Sequence, residues 1–373
     1  MRQLTRNPDQ SQSQALSAEE SAQARRWAWR MGGLALIVGA AAVVIALQVR
    51  FDGDPLRFAN LDRYDGQFAY YIARYGVDAV PRLDAPSFRL MRILYPLLAR
   101  LLSLGSPALL AWALIGVNLI AYAVGTGLVA YLLVTWQASP WYSLTYAAWI
   151  GCLVVLFMDL NELLCMAFAL AAIVAYRRDR LGLTIALFAL SALGKEMGLT
   201  VAAGVALHAA LGKGKWGEAF AIGGIPFAVL LAWVAALYLW LGEVPTQYGN
   251  STLLPPLVGY VMGLEVMGGL RPAVEPGLWL ALPAVLLTVG ALIQVIKTRG
   301  ITLATALVLV GAGWVLIMPT ATWAHAIASW RVGIPLVATG LFYLAESHRR
   351  LLPYAAALWS TSVMFLPIII VQM

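Results

Sequence analysis

The sequence predicts an all-α integral membrane protein of about eleven transmembrane helices with a large amphipathic first outer loop. Three observations carry that prediction. Apolar runs recur from residue 32 to residue 370 in a chain that is 61% hydrophobic and only 12% charged, a composition outside the range of soluble domains. The connections between runs are mostly short, and those on alternate sides are cationic. Two neighbouring pairs of short runs carry charge at the turn between them.

Residues 1–31 read as a disordered cytoplasmic tail, with Gln, Ser and Asp first and Arg25, Arg26 and Arg30 against the membrane. A polytopic membrane domain then extends over 32–373. Its first run, Gly32 to Val49, is long for a signal-peptide core and lacks a small-residue cleavage site, so it reads as a retained span. The other runs lie at about 108–136, 141–158, 162–176, 182–194, 197–211, 219–241, 278–295, 301–318, 332–345 and 351–370. With the N-terminus inside, Arg177-Arg178-Asp179-Arg180, Lys213-Gly214-Lys215, Lys297-Thr298-Arg299 and His348-Arg349-Arg350 all become cytoplasmic, as the positive-inside rule requires. Twelve of the eighteen acidic residues then face outward, which places the expected chemistry on that side.

Parity sharpens this topology. Two crossings must separate Arg180 from Lys213, yet arms of 182–194 and 197–211 rise only about 20 Å each against a hydrocarbon core of roughly 30 Å. Lys195-Glu196 therefore sits below the outer surface, and Asp159-Leu160-Asn161-Glu162 forms a second such tip. Charge inside a membrane segment is costly and marks work on a substrate, ion or partner, so the tips predict a water-filled recess open to the outer face. Adjacent on the chain, Lys195 and Glu196 should have separate partners. Stabilising the fold, or capping the next helix, is the plainer role for these four charges.

In the first outer loop, residues 50–107, Phe68, Tyr71, Ile72 and Tyr75 recur at the spacing of an amphipathic helix that Gly76 closes. Asp65 stands at its start, where a carboxylate can also cap backbone N–H groups. Residues 84–104 predict an interfacial helix offering Arg89, Arg92 and Arg100 to lipid head groups. The loop 242–277, low in charge, predicts a segment that dips into or lies on the membrane. Cys152 and Cys165 lie in apolar runs with neither disulfide nor metal spacing. The net charge of +7 belongs to cytoplasmic anchors, and no nucleic-acid module is recognisable.

The stretch Tyr64-Asp65-Gly66-Gln67-Phe68-Ala69-Tyr70-Tyr71-Ile72-Ala73 resembles the Trp-Asp-Gly pattern of the PIG-V-like mannosyltransferases, within the GT-C superfamily of membrane glycosyltransferases. Tyr64 stands where Trp is usual. Leu193-Gly194-Lys195-Glu196-Met197-Gly198-Leu199 is similar to a Lys-Glu segment seen in many bacterial members. The resemblance implies a GT-C-like fold in a bacterial plasma membrane. It also implies inverting transfer of a sugar from a polyprenyl-phosphate donor to a lipid, glycan or protein acceptor on the outer face. Such transfer needs a base at the acceptor hydroxyl and cations at the leaving phosphate. Asp65 is the first candidate base and Asp62 the second. Lys195 and Arg331 are candidates for the phosphate, with Arg92 as a further one and His325 as a second wall beside Arg331. Glu196, Asp159 and Glu162 are placed to hold the acceptor sugar or the cations.

No obligate metal is expected, although Asp52, Asp54, Asp62 and Asp65 carry oxygens of the kind a divalent cation takes. Two other readings compete: a transporter or flippase of a lipid-linked or small polar substrate, and a non-catalytic subunit of an envelope-assembly machine. The charges gather toward one face and no internal repeat is evident, which is unlike a carrier with a midplane site. A transferase requires Asp65, Lys195 and Arg331 to converge on one outer cavity.

Overall fold

A computed structural model describes residues 18–59, 65–247, 253–266 and 274–367. Every element in them is helical. The first helix, α1 (Ala18–Arg50), begins inside the segment expected to be a disordered tail. Its opening, rich in Ala, Arg and Glu, favours helix, and Glu19 and Glu20 complement the N-terminal end of the helix dipole. Residues 1–17 of that expected tail lie outside the described residues.

The first outer loop folds into short helices. The amphipathic pattern becomes α2 (Gly66–Tyr75), closed by Gly76 at φ +61°. After Pro86–Leu90 comes α3 (Leu94–Leu102), which leads into the long α4 (Pro107–Thr135). The next run bends by 56° at Trp149, between Pro140–Ala148 and α5 (Ile150–Phe157). Beyond the first charged tip, α6 (Glu162–Arg177) is buried along almost its whole length. It packs against α4, α5 and the helices of the second hairpin, α7 (Leu181–Gly194) and α8 (Gly198–Leu207). The chain continues through α9 (Trp216–Leu241), α10 (Val274–Thr298) and α11 (Leu303–Leu316). Another bend, of 44°, joins α12 (Ala326–Val332) to α13 (Ile334–Ser347), and α14 (Leu352–Thr361) follows.

Within the described residues each apolar run falls on a helix or a bent pair, and the chain has the make-up of a multi-pass membrane protein. Fewer elements than the eleven expected spans reach membrane-crossing length. Among the described residues four helices are long and apolar enough alone (α1, α4, α9 and α10), or six spans are if each bent pair counts as one. α6, α7 and α8 are short because the chain breaks at the charged tips and at the cationic turns between them.

The cationic connections gather at the opposite end of α6 from its charged tip. Arg178 donates to the Tyr131 hydroxyl at 3.1 Å, Arg177 lies over the Trp136 ring at 4.5 Å, and Arg349 donates to the Trp136 carbonyl at 2.9 Å. Lys213 reaches Asp179 at 3.9 Å, so both ends of the second hairpin return to this side. The described part of the low-charge loop, with a helix at Val258–Val266, is tied to the end of α11 by the Leu257 amide bonding the Leu316 carbonyl at 2.7 Å.

Candidate active site

Asp65 sits just before α2 with backbone angles already helical, φ −59° and ψ −20°, and its side chain makes no capping hydrogen bond. The carboxylate is turned to cations instead. Oδ1 lies 2.9 Å from Arg89 Nη1 and Oδ2 lies 3.7 Å from Arg331 Nη1. Gly66 explains how α2 gets there. A Cβ at Gly66 would stand 2.2 Å from the Met158 carbonyl oxygen, so only glycine allows α2 to rest on the first charged tip.

Arg331, nearly buried, is fixed by its neighbour. The Trp149 indole donates to the Trp330 carbonyl at 3.0 Å, and a Cβ at Gly151 would come within 2.1 Å of that oxygen. The bend before α5 and the helix α12 are thereby locked together, and Arg331 Nε is brought to 3.5 Å from Glu162 Oε1.

The second tip contributes from behind. Lys195 is extended, φ −164° and ψ 142°, between α7 and α8, and the Ser191 hydroxyl anchors α7 to the Cys165 carbonyl at 2.8 Å. Its Nζ meets Glu162 Oε1 at 2.5 Å, while Glu196 receives two hydrogen bonds from Arg92 at 2.6 and 3.0 Å. Lys195 and Glu196 thus have separate partners, as their adjacency requires.

Asp159 is fully buried at φ +56°, the left-handed residue that ends α5, where the Leu160 amide bonds back to the Val155 carbonyl at 3.1 Å. Its Oδ1 accepts from the Tyr95 hydroxyl at 2.5 Å and from Asn118 Nδ2 at 3.1 Å. Its Oδ2 has no hydrogen-bond partner among the described residues. Asn118 lies eleven residues into α4, about 16 Å along the helix, which puts this cluster well below the end of the bundle.

Asp65, Arg89, Arg92, Tyr95, Asp159 and Arg331 line one recess open to solvent. Apolar walls come from Phe68, whose ring lies under the Arg89 guanidinium at 4.2 Å, and from Ile72 and Leu160. Ion pairs alternate around it, from Lys195 through Glu162, Arg331, Asp65 and Arg89 to Asp84. Asp84, in the first outer loop, is held below the usual carboxylate range chiefly by the hydrogen bonds Arg89 donates.

Of the residues singled out from sequence, Asp65, Arg92, Asp159 and Arg331 meet at the recess. Lys195, expected at one cavity with Asp65 and Arg331, does not line the recess because its ammonium is buried against Glu162; with Glu162 and Glu196 it joins the recess only through ion pairs. His325 stands exposed just before α12, makes no side-chain capping hydrogen bond and does not line the recess. Asp62 lies outside the described residues. Arg89, Tyr95 and Asn118 escape sequence reasoning, since Arg89 reads as a lipid anchor and Tyr95 as an interfacial side chain. Asn118 left a faint signal as a polar residue within a long apolar run. Among the described residues no three His, Cys, Asp or Glu side chains gather as a metal cluster.

Chemically, three guanidiniums suit a phosphate, and carboxylates beside them suit proton transfer from a hydroxyl. Comparison of the chain with protein-family models, with curated proteins and with solved structures gave no match.

Proposed function

We propose that this protein is a glycosyltransferase that moves a sugar, with inversion, from a polyprenyl-phosphate carrier to a hydroxyl of a lipid, glycan or protein acceptor. In this reading the chain crosses a bacterial plasma membrane eleven times, with the short hairpin arms counted as crossings, its N-terminus cytoplasmic and the recess on the outer face. The observation that supports it is the meeting of Asp65, from the stretch that resembles the GT-C enzymes, with Arg331 and with Arg89 and Arg92 on one recess. The guanidiniums stabilise the charge that develops on the departing phosphate, and a carboxylate of the recess takes the acceptor proton. Glu162, itself paired with Lys195, holds Arg331 from behind.

The test is transfer itself. Purified protein in liposomes is given radiolabelled polyprenyl-phosphate mannose, glucose and arabinose, with octyl mannoside and octyl glucoside as acceptors. Label appearing on an acceptor supports the reading. Label crossing the vesicle wall still attached to its carrier identifies a flippase instead.

A further inference from the structure

We propose that Asp159, and not Asp65, removes the proton from the acceptor hydroxyl. The assignment rests on the transferase reading above. Both carboxylates line the recess, but they are differently occupied. Asp65 has one oxygen against Arg89 at 2.9 Å and the other 3.7 Å from Arg331. Its lone pairs point at cations that the leaving phosphate also needs. Asp159 has only neutral donors, Tyr95 and Asn118, and both of them address Oδ1. Among the described residues Asp65, Glu162 and Glu196 all take part in ion pairs, whereas Asp159 takes part in none. Its buried Oδ2, like Glu162 Oε2, is left without a hydrogen-bond donor among the described residues, and of these two residues only Asp159 lines the recess. An orphaned acceptor atom of this kind costs free energy unless a ligand satisfies it, and an acceptor O–H supplies the missing donor.

The step balances with these groups alone. As the acceptor oxygen bonds to the anomeric carbon, its proton passes to Asp159 Oδ2. The bond from that carbon to the phosphate oxygen breaks, and its electron pair leaves on the phosphate among Arg89, Arg92 and Arg331. The proton then departs from Asp159 to water in the open recess. Tyr95 and Asn118 are positioning residues, and Asp65 sets the direction of Arg89 and Arg331.

The experiment compares wild type, Asp159→Asn, Asp159→Glu and Asp65→Asn with the donor and octyl glycoside that wild type uses. Asparagine tolerates the left-handed conformation of residue 159, and elution of each variant from a sizing column checks its fold. Removing a general base costs about 10²–10⁴ in rate. The expected result is such a fall in kcat for Asp159→Asn, with the donor KM within about threefold of wild type on the same scale of reasoning. Asp159→Glu should recover part of the loss, a recovery that a purely structural role would not give. Asp65→Asn should act mainly on the donor KM. The proposal is overturned if Asp159→Asn turns over at the wild-type rate. It is equally overturned if Asp65→Asn abolishes kcat while leaving the donor KM unchanged, an outcome readable even should residue 159 variants fail to fold. No transfer by wild type from any donor removes the transferase reading, and the assignment with it.

Discussion

Lys195 and Glu162 are both buried, and their 2.5 Å contact is the innermost link of the ion-pair chain behind the recess. Taking two charges out of water is expensive, so such a pair adds little net stability, but deleting one partner strands the other. For Lys195→Met the expected loss is about 3 kcal/mol, toward the low end for a broken buried pair. Arg331 still reaches Glu162 at 3.5 Å, which moderates the damage. Lys195→Met combined with Glu162→Gln should recover most of it, because neither charge then remains. Chemical denaturation in detergent reads both numbers. A single variant as stable as wild type would show that water reaches the pair. The arginines carry a second expectation at this scale. With Arg89, Arg92 and Arg331 on the recess, positive charge for a leaving phosphate is already in the side chains. Transfer should therefore survive excess EDTA within about twofold, since cationic side chains serve where metal ions otherwise would. A loss restored by Mg²⁺ or Mn²⁺ would assign that charge to a metal.

The placement of α2 decides whether these side chains meet. Its helix rests on the first charged tip through Gly66, where a Cβ would overlap the Met158 carbonyl oxygen at 2.2 Å. Gly66→Ala must push α2 outward by an ångström or more, carrying Asp65 from Arg89 and Arg331. Misplacement on that scale costs about 10² in rate, whereas the helix itself should gain slightly from alanine. The prediction is thus a turnover loss of about a hundredfold in a protein whose circular dichroism is unchanged. Wild-type turnover in this variant would mean that α2 does not hold the site together. Much of this element was legible in the sequence, from its apolar spacing and the closing Gly76. Both charged tips were legible too, because an Asp, a Glu or a Lys stands out in apolar sequence. What the sequence hides is pairing over distance. Nothing local to Arg331 says that it meets Asp65, and nothing around Arg89 separates a recess cation from a lipid anchor. The bend at Trp149 is equally hidden, since the run 141–158 reads as one uninterrupted span and the groups that bond to it there, the Trp330 carbonyl and the Ser362 hydroxyl, lie far along the chain.

At the scale of the molecule, recess and cationic connections lie at opposite ends of α6, separated by about 22 Å of helix. That separation, together with the positive-inside rule, orients the chain and can be tested without knowing any substrate. Cys152 and Cys165 are both fully buried, so thiol labelling has little background. Asp78, exposed in the first outer loop, and Arg180 and Lys213, exposed at the two ends of the second hairpin, are suitable sites for single cysteines. An impermeant maleimide applied to intact cells should label Asp78→Cys. It should reach Arg180→Cys and Lys213→Cys only after the membrane is opened. The joint behaviour of the last two is the sharper result. The contact between Lys213 and Asp179 at 3.9 Å requires both ends of the hairpin on one side, although neither α7 nor α8 has the length of an ordinary span. Labelling of Arg180→Cys and Lys213→Cys from opposite sides would break the hairpin and invert every later connection. The low-charge loop and Arg331 would then be carried away from the face that holds Asp65, and the recess could not exist as one site. Shared protection of the two cysteines in intact cells instead keeps α6, α7 and α8 as a short-helix core sunk from the outer face, with its charges turned toward that side.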